Sequence, residues 1–251
     1  MKKIILASIA ATALSLPAVA AEHIEIPKGQ WSFDGVLGKF DRQQLQRGFQ
    51  VYKEVCANCH AVQYLSFRNL EDLGYSEAQI KSLAAEYEVE AGPNDEGDMF
   101  KRKALPSDHI PKPYANDALA RVSNGGALPP DLSLMTKARD GGPDYVYNLL
   151  LGYENPPAGV EMAPGMHYNK FFPGHQIAMD RQIEDGKVTY ADGSPTTAAA
   201  IAKDVTAFLH WAAEPKLEQR HSTGLRVTLY AFIFAVLAYF AKRRMWKNIP
   251  H

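Results

Sequence analysis

Apolar residues along this chain recur mostly at helical spacing. Asp41, with Gln44 three residues on, resembles a capping box, and Leu45, Phe49, Tyr52 and Cys56 follow on one helical face. Ser76 and Gln79 repeat the cap pattern before Ile80, Leu83, Ala84 and Tyr87. Asn116 is placed to cap a helix ending near Gly125. Pro143 suits the first turn of a helix running through Leu151, with Gly152 behind it. Val205, Phe208, Leu209 and Ala212 mark one more helix. Strand signals are sparse: Asp185-Gly186 predicts one short hairpin joining 182–184 to 187–190. Between the helices lie long stretches rich in proline, glycine and aromatics, at 105–114, 127–133 and 155–175. Such loops are uncommon in a compact domain unless something organises them, and a large buried group with apolar faces would do so. The expected fold is mainly α.

Two segments depart from this pattern. Residues 1–21 have the form of a secretory signal: Lys2 and Lys3, an apolar run from Ile4 to Leu16, then Ala18-Val19-Ala20. The run is short for an anchor, and Pro17 with the small residues after it favours cleavage. Residues 223–241, about 28 Å as a helix, match the hydrocarbon thickness of a bilayer. No charge occurs from Val227 to Ala241, and Lys242, Arg243, Arg244 and Lys247 follow directly. The positive-inside rule then puts the tail, 242–251, in the cytoplasm. The two signals agree on a chain in the cell inner membrane, with 22–222 as one periplasmic domain undivided by repeats or linkers.

Composition adds two constraints. At 46% hydrophobic and 22% charged residues the chain is a folded protein. A balance of 27 basic and 28 acidic residues excludes a general nucleic-acid binder, yet it hides an asymmetry. Setting aside Lys2, Lys3, Arg226, Lys242, Arg243, Arg244 and Lys247 leaves 20 basic against 28 acidic residues, a net charge of −8 for the middle. Between Glu71 and Asp98 there are nine acids and one base, Lys81. A solvated face is the ordinary use of such a stretch, and its sign suits a basic partner.

The chain has two cysteines, in Cys56-Ala57-Asn58-Cys59-His60. Two are too few for a multi-disulfide scaffold, and this spacing is that of c-type haem attachment. On a helical turn, positions three apart face the same way. Two thiols can then each bond a vinyl group on one porphyrin edge, while the adjacent histidine gives a nitrogen to iron. A zinc site would need further Cys or His partners. A redox-active thiol pair would want a preceding strand, where this chain has helical spacing. A purely structural cysteine pair is the remaining alternative. Spacing alone leaves the sixth iron ligand open among Met99, Met135, Met162, Met166, Met179 and the other histidines, and most methionines are core filler.

Further segments narrow the reading. They are Tyr114-Ala115-Asn116; the run from Asn124-Gly125-Gly126 through Pro129-Pro130-Asp131-Leu132-Ser133; Ala138-Arg139-Asp140-Gly141-Gly142 with Asp144-Tyr145-Val146; Gly152-Tyr153 before Pro156-Pro157; Phe172-Pro173-Gly174; Ala202-Lys203-Asp204-Val205; and Trp211-Ala212-Ala213-Glu214-Pro215. Over nearly the whole mature chain the sequence resembles the cytochrome c1 family, the haem-bearing subunits of bacterial quinol–cytochrome c reductase (bc1) complexes. The resemblance implies a cytochrome c-like haem domain with one covalently bound haem c and a single C-terminal anchor. It implies His60 and Met179 as the axial ligands, although Asp180-Arg181-Gln182 stands here where the family has prolines. It implies Arg139 and Tyr145 near the haem propionates, and Pro129 and Pro130 against the haem face. In function it implies a relay of single electrons from the Rieske iron–sulfur protein to a c-type cytochrome. Cytochrome b would pack on the anchor, and the acids from Glu71 to Asp98 would steer the acceptor. Quinol oxidation would then belong to cytochrome b and the Rieske protein, with no substrate bond broken on this chain. One alternative is an anchored c-type cytochrome feeding a terminal oxidase or periplasmic reductase; another is an exported thiol oxidoreductase.

Overall fold

A computed structural model describes residues 24–248. The expected signal segment and the last tail residues lie outside them. Helices α1 (Arg42–Glu54), α2 (Glu77–Ala85), α3 (Asp117–Ser123), α4 (Met135–Ala138), α5 (Gly142–Leu151), α6 (Ala198–Ala213) and α7 (Leu217–Met245) dominate. Two small antiparallel ribbons accompany them, β1 (Glu88–Ala91) with β2 (Phe100–Lys103) and β3 (His167–Tyr168) with β4 (Gln176–Ile177). The fold is mainly α, as the spacing predicts.

The domain is organised by the crossing of α1 on α6. Leu45, Phe49, Val51 and Tyr52 of α1 are buried, as are Val205, Phe208, Leu209 and Trp211 of α6. At the crossing stands Gly48. A Cβ there would lie 2.1 Å from the Asp204 carbonyl oxygen and 2.7 Å from Phe208 Cβ, so only glycine lets the backbones approach this closely. Beside it, Asp204 is buried but satisfied: Arg47 Nε donates to Oδ2 at 2.9 Å and Gln44 Nε2 to Oδ1 at 3.2 Å. A buried carboxylate needs such partners, because desolvation without them costs several kcal/mol. Gln44 therefore does not close the expected capping box. Asp41 caps α1 alone, accepting from the N–H groups of Gln43 and Gln44. At α2 both halves of the Ser76–Gln79 box do form. Asn116 caps α3, and Pro143 lies in the first turn of α5.

The hairpin expected at 182–190 is absent. Asp185-Gly186 is a turn, but its groups are engaged elsewhere. The Asp185 carboxylate accepts from Ala198 N–H at 2.6 Å, and Gly186 N–H donates to the Thr196 carbonyl at 2.7 Å. Ile183, Val188 and Tyr190 sink into the core. Tertiary packing overrides the turn signal.

The acidic stretch is more ordered than a solvated run. It contains α2 and β1, and β2 lays bases opposite its acids, Lys103 facing Glu88 and Lys101 facing Glu90. Lys53 pairs with Glu86, and Lys81 with Glu77. The ribbon is tied down by Arg102, whose Nη2 donates to Asp108 Oδ1 at 2.9 Å, while Leu105 N–H donates to Asp108 Oδ2 at 2.7 Å. The Arg102 hydrogen bond, helped by that N–H, holds the Asp108 carboxyl down at about 2 against an ordinary 3.8. A depressed acid contributes stability above its ordinary pKa, and that contribution disappears as pH falls through the folded value. Amide-exchange protection of β2 and Leu105 is accordingly expected to persist at pH 5 and fade between about 3.8 and 2. Asp108→Asn should remove that pH dependence, and protection unchanged down to pH 2 would refute the link. The pair is near the surface and screened, so the effect is local.

At the far end, α7 starts at Leu217, earlier than its apolar run. Leu217 is buried. Glu218 accepts from Phe40 N–H at 2.9 Å and from Arg42 Nη2 at 3.0 Å. Glu214, at the end of α6, bridges Lys137 of α4 and Arg220 of α7. Beyond these contacts α7 exposes Phe232, Phe234, Leu237 and Phe240. Among the described residues it is the one helix long and apolar enough to cross a membrane.

Candidate functional site

The C-terminal end of α1 tightens into a 3-10 turn, Cys56–Asn58. The N–H groups of Cys59 and His60 both donate to the Cys56 carbonyl, at 3.1 and 2.9 Å. The Asn58 amide donates to the carbonyls of Glu54 and Val55, satisfying acceptors a helix end leaves open. Cys56 and Cys59 are free, half-buried thiols on this turn. Burial pushes the Cys56 thiol up to about 12, with Cys59 adding to the effect, so it stays protonated.

His60 is held from two sides. Tyr52 Oη donates to its carbonyl at 3.1 Å. Its Nδ1 lies 2.7 Å from the Pro130 carbonyl oxygen. That oxygen can only accept, so Nδ1 carries the proton, and in the neutral ring Nε2 keeps its lone pair. Burial lowers the imidazole's pKa, against the smaller opposing effects of the Pro130 bond and Asp131. A ring neutral, oriented and basic at Nε2 is what a metal-ligating histidine requires.

The segment supplying Pro130 is zipped to the chain after His60. Leu132 N–H donates to the Ala61 carbonyl at 2.8 Å, Gln63 N–H to Asp131 Oδ2 at 2.9 Å, and Tyr64 N–H to Ser133 Oγ at 3.1 Å. Upstream, Asn124 Nδ2 donates to Tyr114 Oη at 3.1 Å, and Tyr114 Oη donates to Cys59 Sγ at 3.9 Å. Pro129 is half-buried and Pro130 exposed. Tyr52, Tyr114, Asp131 and Ser133 were not among the residues the sequence nominates. Asp131-Leu132-Ser133 carries the one usable signal, because an Asp whose side chain accepts from a backbone N–H two residues on marks a structured turn.

Arg139 and Tyr145 come together at the start of α5. Gly141, at φ 83°, and Gly142, at φ 54°, supply two consecutive left-handed residues, and this turn folds Arg139 back toward the helix. Arg139 lies beside the Tyr145 phenol, whose pKa burial raises and Arg139 lowers. Tyr145 is buried and Arg139 exposed.

Met179 stands on a third segment. It is half-buried, between Ile177 and Ile183, both buried. Its carbonyl accepts from Tyr153 Oη at 2.9 Å, and burial keeps that phenol protonated. The other methionines have other surroundings: Met99 is exposed, Met135 packs on the core, and Met162 and Met166 line an open groove of about 670 Å³ with Tyr153, His167 and Arg181. No described hydrogen bond runs directly between the His60, Arg139 and Met179 groups. They share one hydrophobic core that includes Leu132, Tyr145 and Ile183, with Cys56 packed against it.

The donor set fits a c-type haem. Two free thiols share a turn and the next imidazole presents an unengaged Nε2. No cluster of three or more His, Cys, Asp or Glu side chains able to hold a bare metal ion occurs among the described residues. The segment before Cys56 is helix, as the thiol-redox alternative does not want.

Comparison with known proteins agrees. A model described as "Cytochrome C1 family" matches residues 31–249. The chain is 46% identical over 244 residues to cytochrome c1 of Rhodospirillum rubrum, covering 91% of this chain and 90% of that one. It is 48% identical over 227 residues to a mitochondrial cytochrome c1 heme protein of Arabidopsis thaliana, covering 90% and 74%. It is 49% identical over 244 residues to cytochrome b/c1 of Bradyrhizobium diazoefficiens, covering 88% of this chain but 36% of that longer protein.

Proposed function

Since the chain belongs to the cytochrome c1 family, we propose that it is the membrane-anchored electron relay of a bc1 complex, passing single electrons from a Rieske iron–sulfur protein to a c-type cytochrome. The observation that carries this reading is the turn at Cys56–His60, with two free thiols and an imidazole fixed at Nδ1. One haem c, when bound, supplies a ferric/ferrous couple. Cys56 and Cys59 would hold it by thioethers, His60 through Nε2, and Met179 through sulfur. With His60 on one side and Met179 on the other, the chain itself would keep small molecules away from the group. Arg139 would neutralise a propionate in a charge-assisted hydrogen bond, with Tyr145 beside it. Pro129 and Pro130 would line the haem face, while the Pro130 carbonyl orients His60. The domain would stand in the periplasm, with α7 crossing the inner membrane against cytochrome b and its basic end in the cytoplasm.

Purification of the membrane complex, with an optical spectrum and a haem-stained denaturing gel, tests this directly. A covalent haem band on this chain, co-purifying with cytochrome b and a Rieske protein, is expected. A haem band without those partners would favour delivery to an oxidase or reductase instead.

Docking of the acceptor near Glu71 to Asp98 is supported by charge, but not evenly. Glu77, Glu86 and Glu88 are already paired with lysines. Glu71, Asp72, Glu90, Asp95, Glu96 and Asp98 form no ion pair with another described residue and are exposed. Replacing Glu71, Asp72, Asp95, Glu96 and Asp98 by amides should slow reduction of a basic cytochrome c roughly tenfold at low salt. The difference should close as salt rises past the point where the Debye length is about 8 Å. Equal rates at every ionic strength would remove this surface from docking.

A further inference from the structure

We propose that Tyr153 and Arg181 are positioning residues for Met179, clamping the backbone from which its thioether would reach iron. The inference rests on reading Met179 as the axial ligand, and it adds what holds that ligand in place. Three hydrogen bonds make the clamp. Tyr153 Oη donates to the Met179 carbonyl at 2.9 Å. Arg181 Nη2 donates to the Tyr153 carbonyl. Arg181 N–H donates to Asp180 Oδ1 at 2.8 Å, a local link directly after the methionine. Tyr153 thus holds Met179 with its side chain and is held by Arg181 through its main chain.

The base of the clamp is rigid. Tyr153 is 7% exposed and pairs as an antiparallel bridge with Asn169, which is fully buried. Asn169 Nδ2 donates to the Leu149 carbonyl of α5 at 2.8 Å, and its Oδ1 accepts from Phe171 N–H at 3.0 Å. Lys170 N–H donates to the Gly152 carbonyl at 3.0 Å. A Cβ on Gly152 would meet Asn169 Oδ1 and Phe171 Cδ2, each at 2.7 Å. The phenol therefore projects from a platform continuous with α5, while Ile177 and Ile183 pin the chain on either side of Met179. A thioether is a weak donor, and its occupancy of an iron site depends on how little freedom its loop has to lose on binding. One hydrogen bond of ordinary net strength changes a bound-to-dissociated ratio by about two- to tenfold.

The test uses the haem-loaded full chain. Tyr153→Phe removes one hydroxyl and keeps the ring; Arg181→Ala removes the second link, and Arg181→Lys restores a donor. Two readouts report ligation rather than folding: the far-red methionine-to-ferric-iron charge-transfer band followed through a urea titration, and carbon monoxide binding by the ferrous protein. Tyr153→Phe should raise the carbon monoxide-reactive fraction about two- to tenfold and lose the band at lower urea, with covalent haem and far-UV dichroism unchanged. Arg181→Ala should act in the same direction, and Arg181→Lys should recover part of the loss. Met179→Leu separates the two readings. If it abolishes the band while Tyr153→Phe and Arg181→Ala behave as the parent, the clamp is overturned and the ligand stands. If Met179→Leu keeps the band, the axial reading falls and the clamp with it. Should Arg181→Ala fail to load haem, Tyr153→Phe alone decides.

Discussion

A protein with serine at both Cys56 and Cys59 is expected to reach the membrane with no covalent haem at all. A hydroxyl does not add to the porphyrin vinyl groups, so His60 and Met179 would be left to hold the group by coordination alone. The consequence extends beyond the turn. Pro130 and Tyr114 reach His60 and Cys59, and Cys56 packs against the main core. Loops of this length keep their order only by packing on something, because each fixed residue costs about 1–2 kcal/mol of backbone entropy. The variant should show no haem-stained band after denaturation, a mass equal to the bare processed chain, and protease cutting between residues 105 and 135. A retained haem band would overturn the attachment site.

The largest effect away from that turn is expected at Gly48. An alanine Cβ there falls 2.1 Å from a backbone oxygen of α6, which cannot rotate aside as a side chain can. Either α1 and α6 separate or the Arg47–Asp204 pair breaks. Overpacking costs about 1–3 kcal/mol when neighbours can yield, and a backbone clash belongs at or above the upper end. Gly48→Ala should lower the Tm of the haem-loaded protein by on the order of 10 °C. Its optical spectrum at room temperature should be unchanged, because His60 and Met179 lie outside α1 and α6. A melting curve matching the parent would mean that the helices are not packed this closely.

Much of the helical framework was legible from caps and spacing. Asp41, Ser76, Asn116 and Pro143 stand at starts the structure uses, because a cap is satisfied by the next few N–H groups and needs nothing distant. What was lost depends on partners far along the chain. Gln44 looked like half of a capping box and instead serves Asp204, 160 positions on. Asp185-Gly186 looked like a hairpin turn, but its carboxylate serves the first turn of α6. The β1–β2 ribbon is hard to see in the sequence because the alternation in Glu88-Val89-Glu90-Ala91 is four residues long and sits within an acidic run. In the candidate site, Cys56, Cys59 and His60 stand out in the sequence because haem attachment demands their spacing. Arg139, Tyr145, Pro129, Pro130 and Met179 came only through resemblance. Tyr153 and Arg181 were invisible, because a phenol reaching a carbonyl 26 residues away leaves no mark in the sequence.

The junction of α7 with the domain has a consequence for traffic around this protein. Glu218 grips the start of α1, and Glu214 links α4 to Arg220, so the membrane rod enters the domain as a braced strut and not as a string. A strut so braced leaves the domain little freedom to swivel over the bilayer. Whatever delivers charge to it, or collects charge from it, has to do the travelling.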